Sequence, residues 1–178
     1  FKKNKNLFGY IPQSTFLLDD SIKNNVAFGE ENMNFNSELF WKSLKMSKID
    51  EFVKNLPNQE NEIVGERGVR ISGGQIQRLG IARALYRESE ILIFDEPTRG
   101  IDVGAKYEIY QWMNRLSKQG KGLIMISSEL PEVLGMSDRI MVLKEGELMG
   151  EVSNGPEITQ EKLMAMAIGE CKEKETKE

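Results

Sequence analysis

Two short stretches carry residue types that could do chemistry. The first is Ile91-Leu92-Ile93-Phe94-Asp95-Glu96, an apolar run ending in two adjacent carboxylates. Ligands of α/β sheets sit outside the carboxyl ends of the strands, so such a pair would face a crevice. One carboxylate can hold Mg2+ through water while its neighbour orients or deprotonates an attacking water, the division of labour that phosphoryl transfer uses. Taken alone, an Asp-Glu pair after a strand is more simply a cap for the next helix. The second stretch is Ile71-Ser72-Gly73-Gly74-Gln75, directly ahead of a helical pattern. Unpaired N–H groups and the positive end of the helix dipole make such a turn an anion site. Its glycines let an oxygen approach the backbone, and the Ser hydroxyl adds a donor. A Gly-Gly cap by itself is weak evidence. Followed by Gln77-Arg78, by Ile81-Ala82-Arg83-Ala84-Leu85 and then by the apolar run with its carboxylates, the spacing becomes specific.

The elements that must position these residues follow from periodicity and punctuation. Leu7 to Ile11 reads as a short strand entering Pro12-Gln13, and Asp19-Asp20-Ser21 as a cap cluster opening a short helix through Ala27. Leu39, Phe40, Leu44 and Met46 recur near helical spacing, which predicts a helical region over Ser37 to Leu56. A helix from Ser72 presents Ile76, Leu79, Ile81 and Leu85. The run Ile91 to Phe94 is continuously apolar, the mark of a strand covered on both faces. A helix over Val103 to Ser117, a strand over Leu123 to Ile126, a short helix near Pro131 to Leu134 and a strand over Arg139 to Leu143 complete the order. Glu145-Gly146 turns that last strand into Glu147 to Val152 as a hairpin. Strands separated by helices imply right-handed βαβ units, so the expected class is α/β with a mostly parallel sheet. Phe1 to Asn6 and the charge-alternating Lys172 to Glu178 read as solvated ends.

Composition narrows the chemistry. The chain has 178 residues, 24 Lys+Arg against 28 Asp+Glu, a net charge of −4 and no histidine. Without His there is no Ser-His-Asp or Cys-His catalytic pair, no His-ligated zinc and no imidazole switch. An apolar share of 39% with 29% charged residues and 16 glycines falls in the globular range and argues against disorder of the whole chain. The single cysteine, Cys171, has no internal partner, so a reducing compartment is the default expectation. No apolar run approaches the ~18 residues of a membrane span. A pI near 5.2 offers no basic footprint for phosphate backbones, and no nucleic-acid partner is expected.

With these residues in order, the sequence resembles the nucleotide-binding domain of ABC transporters over Leu7 to Gly169. Ile71 to Gln75 resembles the signature motif, Ile91 to Glu96 Walker B, Gln13 the Q-loop glutamine, and Arg99-Gly100-Ile101-Asp102 the D-loop. The resemblance implies a P-loop NTPase-like fold. It also implies ATP and Mg2+ as cofactors, with a second ATP-binding domain in a head-to-tail pair and a transmembrane domain as partners. The location implied is peripheral, on the cytoplasmic face of the plasma membrane. Ser72, Gly73, Gly74 and Gln75 would meet the γ-phosphate of ATP held mainly by the partner domain. Asp95 would support Mg2+ and Glu96 would be the general base. Gln13 would link metal and attacking water to the membrane domain, and Asp102 would sit at the dimer seam. Ordinary readings stand beside two of these: Gln13 as an exposed turn residue, and Asp102 as a helix cap. The implied organisation is a partial ATP-binding domain over residues 1–170, with a helical subdomain over about 14–88, a core remainder over 89–169, and a charged tail over 171–178.

Three departures qualify the resemblance. An ATPase of this kind needs G-x-x-x-x-G-K-S/T ahead of Gln13, and these residues contain no such motif, so an N-terminal part is expected to be missing and the chain is not expected to hydrolyse ATP alone. At the switch-histidine position stands Ser128, whose hydroxyl can bond a phosphate oxygen but carries no charge. Finally, residues 1–96 resemble exporter-type domains through Gly9 to Gln13, Asp19 to Ile22 and Val64 to Gly68. From Pro97 onward, Pro97 to Lys106 and Ser127 to Arg139 resemble the second ATP-binding half of monosaccharide importers. A splice at the shared Asp-Glu-Pro-Thr stretch accounts for the change. The expected function is the ATP-binding part of an ABC transporter; the alternative is a non-hydrolysing piece whose signature face completes a partner's site. A ribosome- or DNA-directed relative would carry coiled-coil insertions or basic arms, and neither is present.

Overall fold

The computed structural model describes residues 7–29, 34–65, 71–100 and 103–169. They form two compact units that divide between Ile126 and Ser127. Asp102, Cys171 and the charged tail lie outside the described residues.

The first unit holds a parallel sheet of β1 (Phe8–Ile11), β2 (Ile91–Asp95) and β3 (Gly122–Ile126), with β2 in the centre. Helices α1 (Ile22–Val26), α2 (Ser37–Met46), α3 (Asp50–Lys54) and α4 (Gly73–Tyr86) connect β1 to β2, and α5 (Val103–Lys118) connects β2 to β3. Local chemistry starts these helices, at Ser21 where a cap is expected and also at Asn36. The Ser21 hydroxyl accepts from the Asn24 N–H at 3.1 Å and the Asn36 side chain from the Leu39 N–H at 3.0 Å, each satisfying a first-turn donor.

The helical region expected as one piece over Ser37 to Leu56 is two helices. The Ser47 hydroxyl donates back to the Ser43 and Leu44 carbonyls, Lys48 takes φ +53°, and the Ile49 N–H returns to the Leu44 carbonyl. Together they close α2 in a left-handed turn before α3 begins. Helices α1 and α2 pack on α4 around a core that includes Ile22, Val26, Phe40, Leu44, Leu79 and Tyr86, and α3 packs against α2.

The central strand is also less enclosed than its continuous apolar run suggests. Leu92 and Phe94 are fully buried, but Ile91 and Ile93 on the other face are only half-buried. That second face continues into Phe8 and Tyr10 on β1 and Ile124 and Ile126 on β3, which are 42–56% exposed. The asymmetry arises because α5 packs through Trp112 against Phe94, ring centroids 5.5 Å apart, on the Leu92 side. Gly9 belongs to the buried side, where a Cβ would come within 2.8 Å of the Leu92 side chain.

The second unit is a hairpin of β4 (Arg139–Lys144) and β5 (Glu147–Ser153) with α6 (Leu130–Met136) and α7 (Gln160–Ile168). Glu145 and Gly146 both take positive φ, 50° and 86°, the turn geometry that matches strand twist. Ile140, Val152, Ile158, Leu163 and Met166 form its core. The Asn154 amide donates to the Leu134 and Ser137 carbonyls at 2.7 and 2.8 Å, fastening the strand end to α6. Helix α7 was not among the elements read from the sequence; Thr159 caps it and Gly169, at φ +89°, ends it.

Candidate functional site

The carboxyl end of β2 delivers Asp95 as its last residue and Glu96 just beyond it. The backbone continues the sheet for one more step, since the Glu96 N–H donates to the Ile126 carbonyl at 2.8 Å. It then reverses: Glu96 takes φ +47°, and its carbonyl accepts from the Arg99 N–H at 3.2 Å. Glutamate has no intrinsic preference for this left-handed region, and residues held there against preference cluster at functional sites. Pro97 and fully buried Thr98 pin the turn from within.

Asp95 is held by a residue that the sequence reading passed over. The Tyr10 hydroxyl donates to Asp95 Oδ2 at 2.6 Å, across 85 residues of sequence. This bond, more than the nearby negative charge, raises the Tyr10 pKa above its ordinary 10.0. Register accounts for it: Tyr10 pairs with Ile93, so by alternation Tyr10 and Asp95 share a face of the sheet, and no local signal in the sequence gives that pairing. Gln13 lies two residues past the end of β1, which pairs alongside β2, and its side chain is exposed.

The Ser72 turn is a separate cluster. The Ser72 hydroxyl accepts from the Gln75 N–H at 3.3 Å while the Gln75 side chain accepts from the Ser72 N–H at 2.8 Å, a reciprocal capping box. Gln75 thus faces its own cap. The first-turn N–H groups of Gly73 and Gly74 have no helical acceptor, and a Cβ at either glycine would meet nothing within 4 Å. An anionic oxygen can therefore approach this backbone, which fits a phosphate.

Helix α4 is joined tightly to the segment that follows Gln13. A Cβ on Gly80 would collide with the Thr15 side chain, and the Thr15 hydroxyl donates to the Gln77 side-chain oxygen at 3.3 Å. Arg83 donates to the Asn25 carbonyl at 2.8 Å and the Phe16 carbonyl at 3.0 Å. Burial, with repulsion from Arg87, lowers its pKa. In the second unit Ser128 is exposed, beside Ser127, whose hydroxyl bonds the buried Glu132 carboxylate at 2.5 Å.

Among the described residues no group of three or more Asp, Glu, His or Cys could cage a metal ion. Asp95 and Glu96 are hard oxygen donors, and one or two carboxylates suit Mg2+, which keeps water and takes its remaining ligands from substrate phosphates. The donor set therefore fits that ion.

A family model described as ABC transporter matches residues 2–99, a span that contains Gln13, the Ser72 turn and the Asp95-Glu96 pair. The chain belongs to the ABC transporter family. Among curated relatives, it is 44% identical over 153 residues to the xylose import ATP-binding protein of Moorella thermoacetica. It is 46% identical over 156 residues to the ribose import ATP-binding protein of Oceanobacillus iheyensis. Each alignment covers 86% of this chain and 30% of the relative, so this ABC chain spans under a third of the length of those proteins. A solved bacterial Atm1-family ABC exporter with ATP bound is similar at 32% identity and TM-score 0.73, over 86% of this chain and 26% of that one. Importer and exporter likenesses thus both occur, in line with the mixed resemblance of the motifs. No helix among the described residues is long and apolar enough to cross a membrane.

Proposed function

We propose that this chain is part of an ATP-binding domain that drives substrate movement across a membrane by binding and hydrolysing ATP. The observation that carries the reading is the Asp95-Glu96 pair at the end of the central parallel strand, with Glu96 held in a left-handed conformation. Bound Mg2+ would supply charge neutralisation to the phosphates; Asp95 and Gln13 are the residues offered to it. Glu96 is the base: its carboxylate takes the proton of the attacking water. The Gly73 and Gly74 N–H groups and the Ser72 hydroxyl donate to a γ-phosphate presented by a second ATP-binding domain, with Gln75 keeping the turn in shape and Asp102 at the seam between domains. Ser128 offers a neutral hydroxyl to a phosphate oxygen. A transmembrane domain is the partner that receives the motion, which places the chain peripherally at the cytoplasmic side. The helical subdomain over about 14–88 carries the signature turn, and residues 89–169 the remaining core. The relatives named for xylose and ribose import support import as the direction and a monosaccharide as the class of cargo.

The test is steady-state ATP hydrolysis by the full-length protein with its membrane partner. Glu96→Gln is expected to lower turnover by at least about a hundredfold while ATP binding persists, the scale of a lost general base. Turnover within twofold of the unsubstituted protein would remove Glu96 from the mechanism.

A further inference from the structure

The Asp95 carboxylate has a partner, Tyr10, to which the proposed ATP chemistry assigns no role. Tyr10 and Ile93 are register partners, and Asp95 lies one pleat further along the same face. The phenol leans along the strand direction by about two residues, roughly 6–7 Å, to reach it. At 2.6 Å the bond has the length of an O–H donor meeting an ionised oxygen. Among the described residues, Tyr10 is the one donor whose hydrogen bond to Asp95 is seen. It occupies a site on Oδ2 and leaves the other carboxylate oxygen unengaged by this contact. Asp95 is the last residue of its strand, and ladder pairing with Ile126 fixes its backbone but not by itself the rotamer of its carboxylate. A bond from a rigid ring anchored in the neighbouring strand supplies that constraint.

We propose that Tyr10 is a positioning residue that fixes the Asp95 carboxylate for a divalent cation. The proposal rests on the reading of Asp95 as the metal-side carboxylate. Groups that orient a metal-binding side chain commonly change metal affinity by tenfold or more when removed, because an untethered ligand must lose rotamer freedom on binding. A stabilising surface bond alone would affect unfolding and leave affinity unchanged.

The two roles separate in a Mn2+ titration of the full-length protein in complex with a non-hydrolysable ATP analogue, following the free-ion electron paramagnetic resonance signal. Tyr10→Phe keeps the ring and removes only the hydroxyl; Asp95→Asn removes the charge; the double variant closes the cycle. The site under study is the one that Asp95→Asn weakens. There Tyr10→Phe is expected to raise the dissociation constant about tenfold, and the double variant to bind no more weakly than Asp95→Asn, since Tyr10 acts through Asp95. If Asp95→Asn weakens a site and Tyr10→Phe leaves that site unchanged, Tyr10 is only structural while the metal reading survives. If Asp95→Asn leaves every site unchanged, the metal reading fails and the positioning role falls with it. Additive losses in the double variant would also overturn the proposal. Far-UV circular dichroism of each variant establishes that the fold is retained, and Tyr10→Gln, with a shorter donor, serves as a second variant in the same cycle.

Discussion

Glu96 carries two demands that pull apart. Its carboxylate is the proposed base, while its backbone sits at φ +47°, where a side chain with a Cβ costs about 1–2 kcal/mol. Glycine enters this region freely, at an entropic cost of roughly 0.5–1 kcal/mol. Glu96→Gly is therefore expected to leave folding stability within about 1 kcal/mol of the parent or slightly above it, although the proposed base is gone. Glu96→Val, β-branched at the same dihedral, is expected to lose at least about 1 kcal/mol. Urea unfolding of both variants measures this, and a Val variant as stable as the Gly variant would show that the turn is unstrained. At this scale the sequence was partly legible. Asp95, Glu96 and the Ser72 turn announce themselves through short-range order, because their chemistry is written in consecutive residues. Tyr10 does not, since its bond to Asp95 depends on strand register across 85 residues.

The elements show the same division between local and distant causes. The cap at Ser21 is legible because its side chain satisfies an N–H only three residues on, and the caps at Asn36 and Ser72 act over the same short range. The break at Lys48 was not, because the apolar spacing runs on through it while the Ser47 hydroxyl and a positive φ end the helix. The junction of α4 with the Thr15 segment lay equally out of reach. Gly80→Ala places a methyl group into the Thr15 side chain and is expected to cost about 1–3 kcal/mol, the usual penalty of overpacking. Thr15→Ala in the same chain should recover part of that loss, and a double-mutant cycle by thermal unfolding reads the coupling. Additivity of the two substitutions would mean that the contact is slack. In α7, Glu161 in the first turn has a pKa below its ordinary 4.5, held down by its own backbone N–H and then by Thr159. With the folded value depressed, its contribution is fully present above about 4.5 and disappears as pH falls through the lower folded value. Relative to Glu161→Gln, the parent should be more stable at neutral pH, and the difference should vanish on acidification, as followed by circular dichroism.

For the whole molecule, the open face of the parallel sheet governs behaviour in solution. Phe8, Tyr10, Ile124 and Ile126 lie together there and are 42–56% exposed, although parallel sheets ordinarily have both faces covered. The 178-residue chain on its own is therefore expected to self-associate through this face. Light scattering after size exclusion should report species larger than a monomer, and Phe8→Ser with Ile124→Ser should shift the distribution toward monomer. A monodisperse parent chain with a cooperative thermal transition would contradict this. The α/β class and the order of strands were legible in the sequence, because apolar runs and helical spacing alternate so regularly. The openness of one sheet face was not, since a run such as Ile91 to Phe94 looks the same whether one layer or two cover it.

Arg83 holds the segment after Gln13 through the main-chain carbonyl oxygens of Phe16 and Asn25, with a longer contact to the Asn25 side-chain oxygen. An anchor of that kind does not depend on which side chain stands at position 16. The Phe16 ring is 59% exposed, and the Arg83 anchor at this position is to its backbone carbonyl. Over evolutionary time such a position can diverge to suit whatever surface it meets while the path of the chain beneath it stays the same, so that one scaffold can be fitted to many different counterparts.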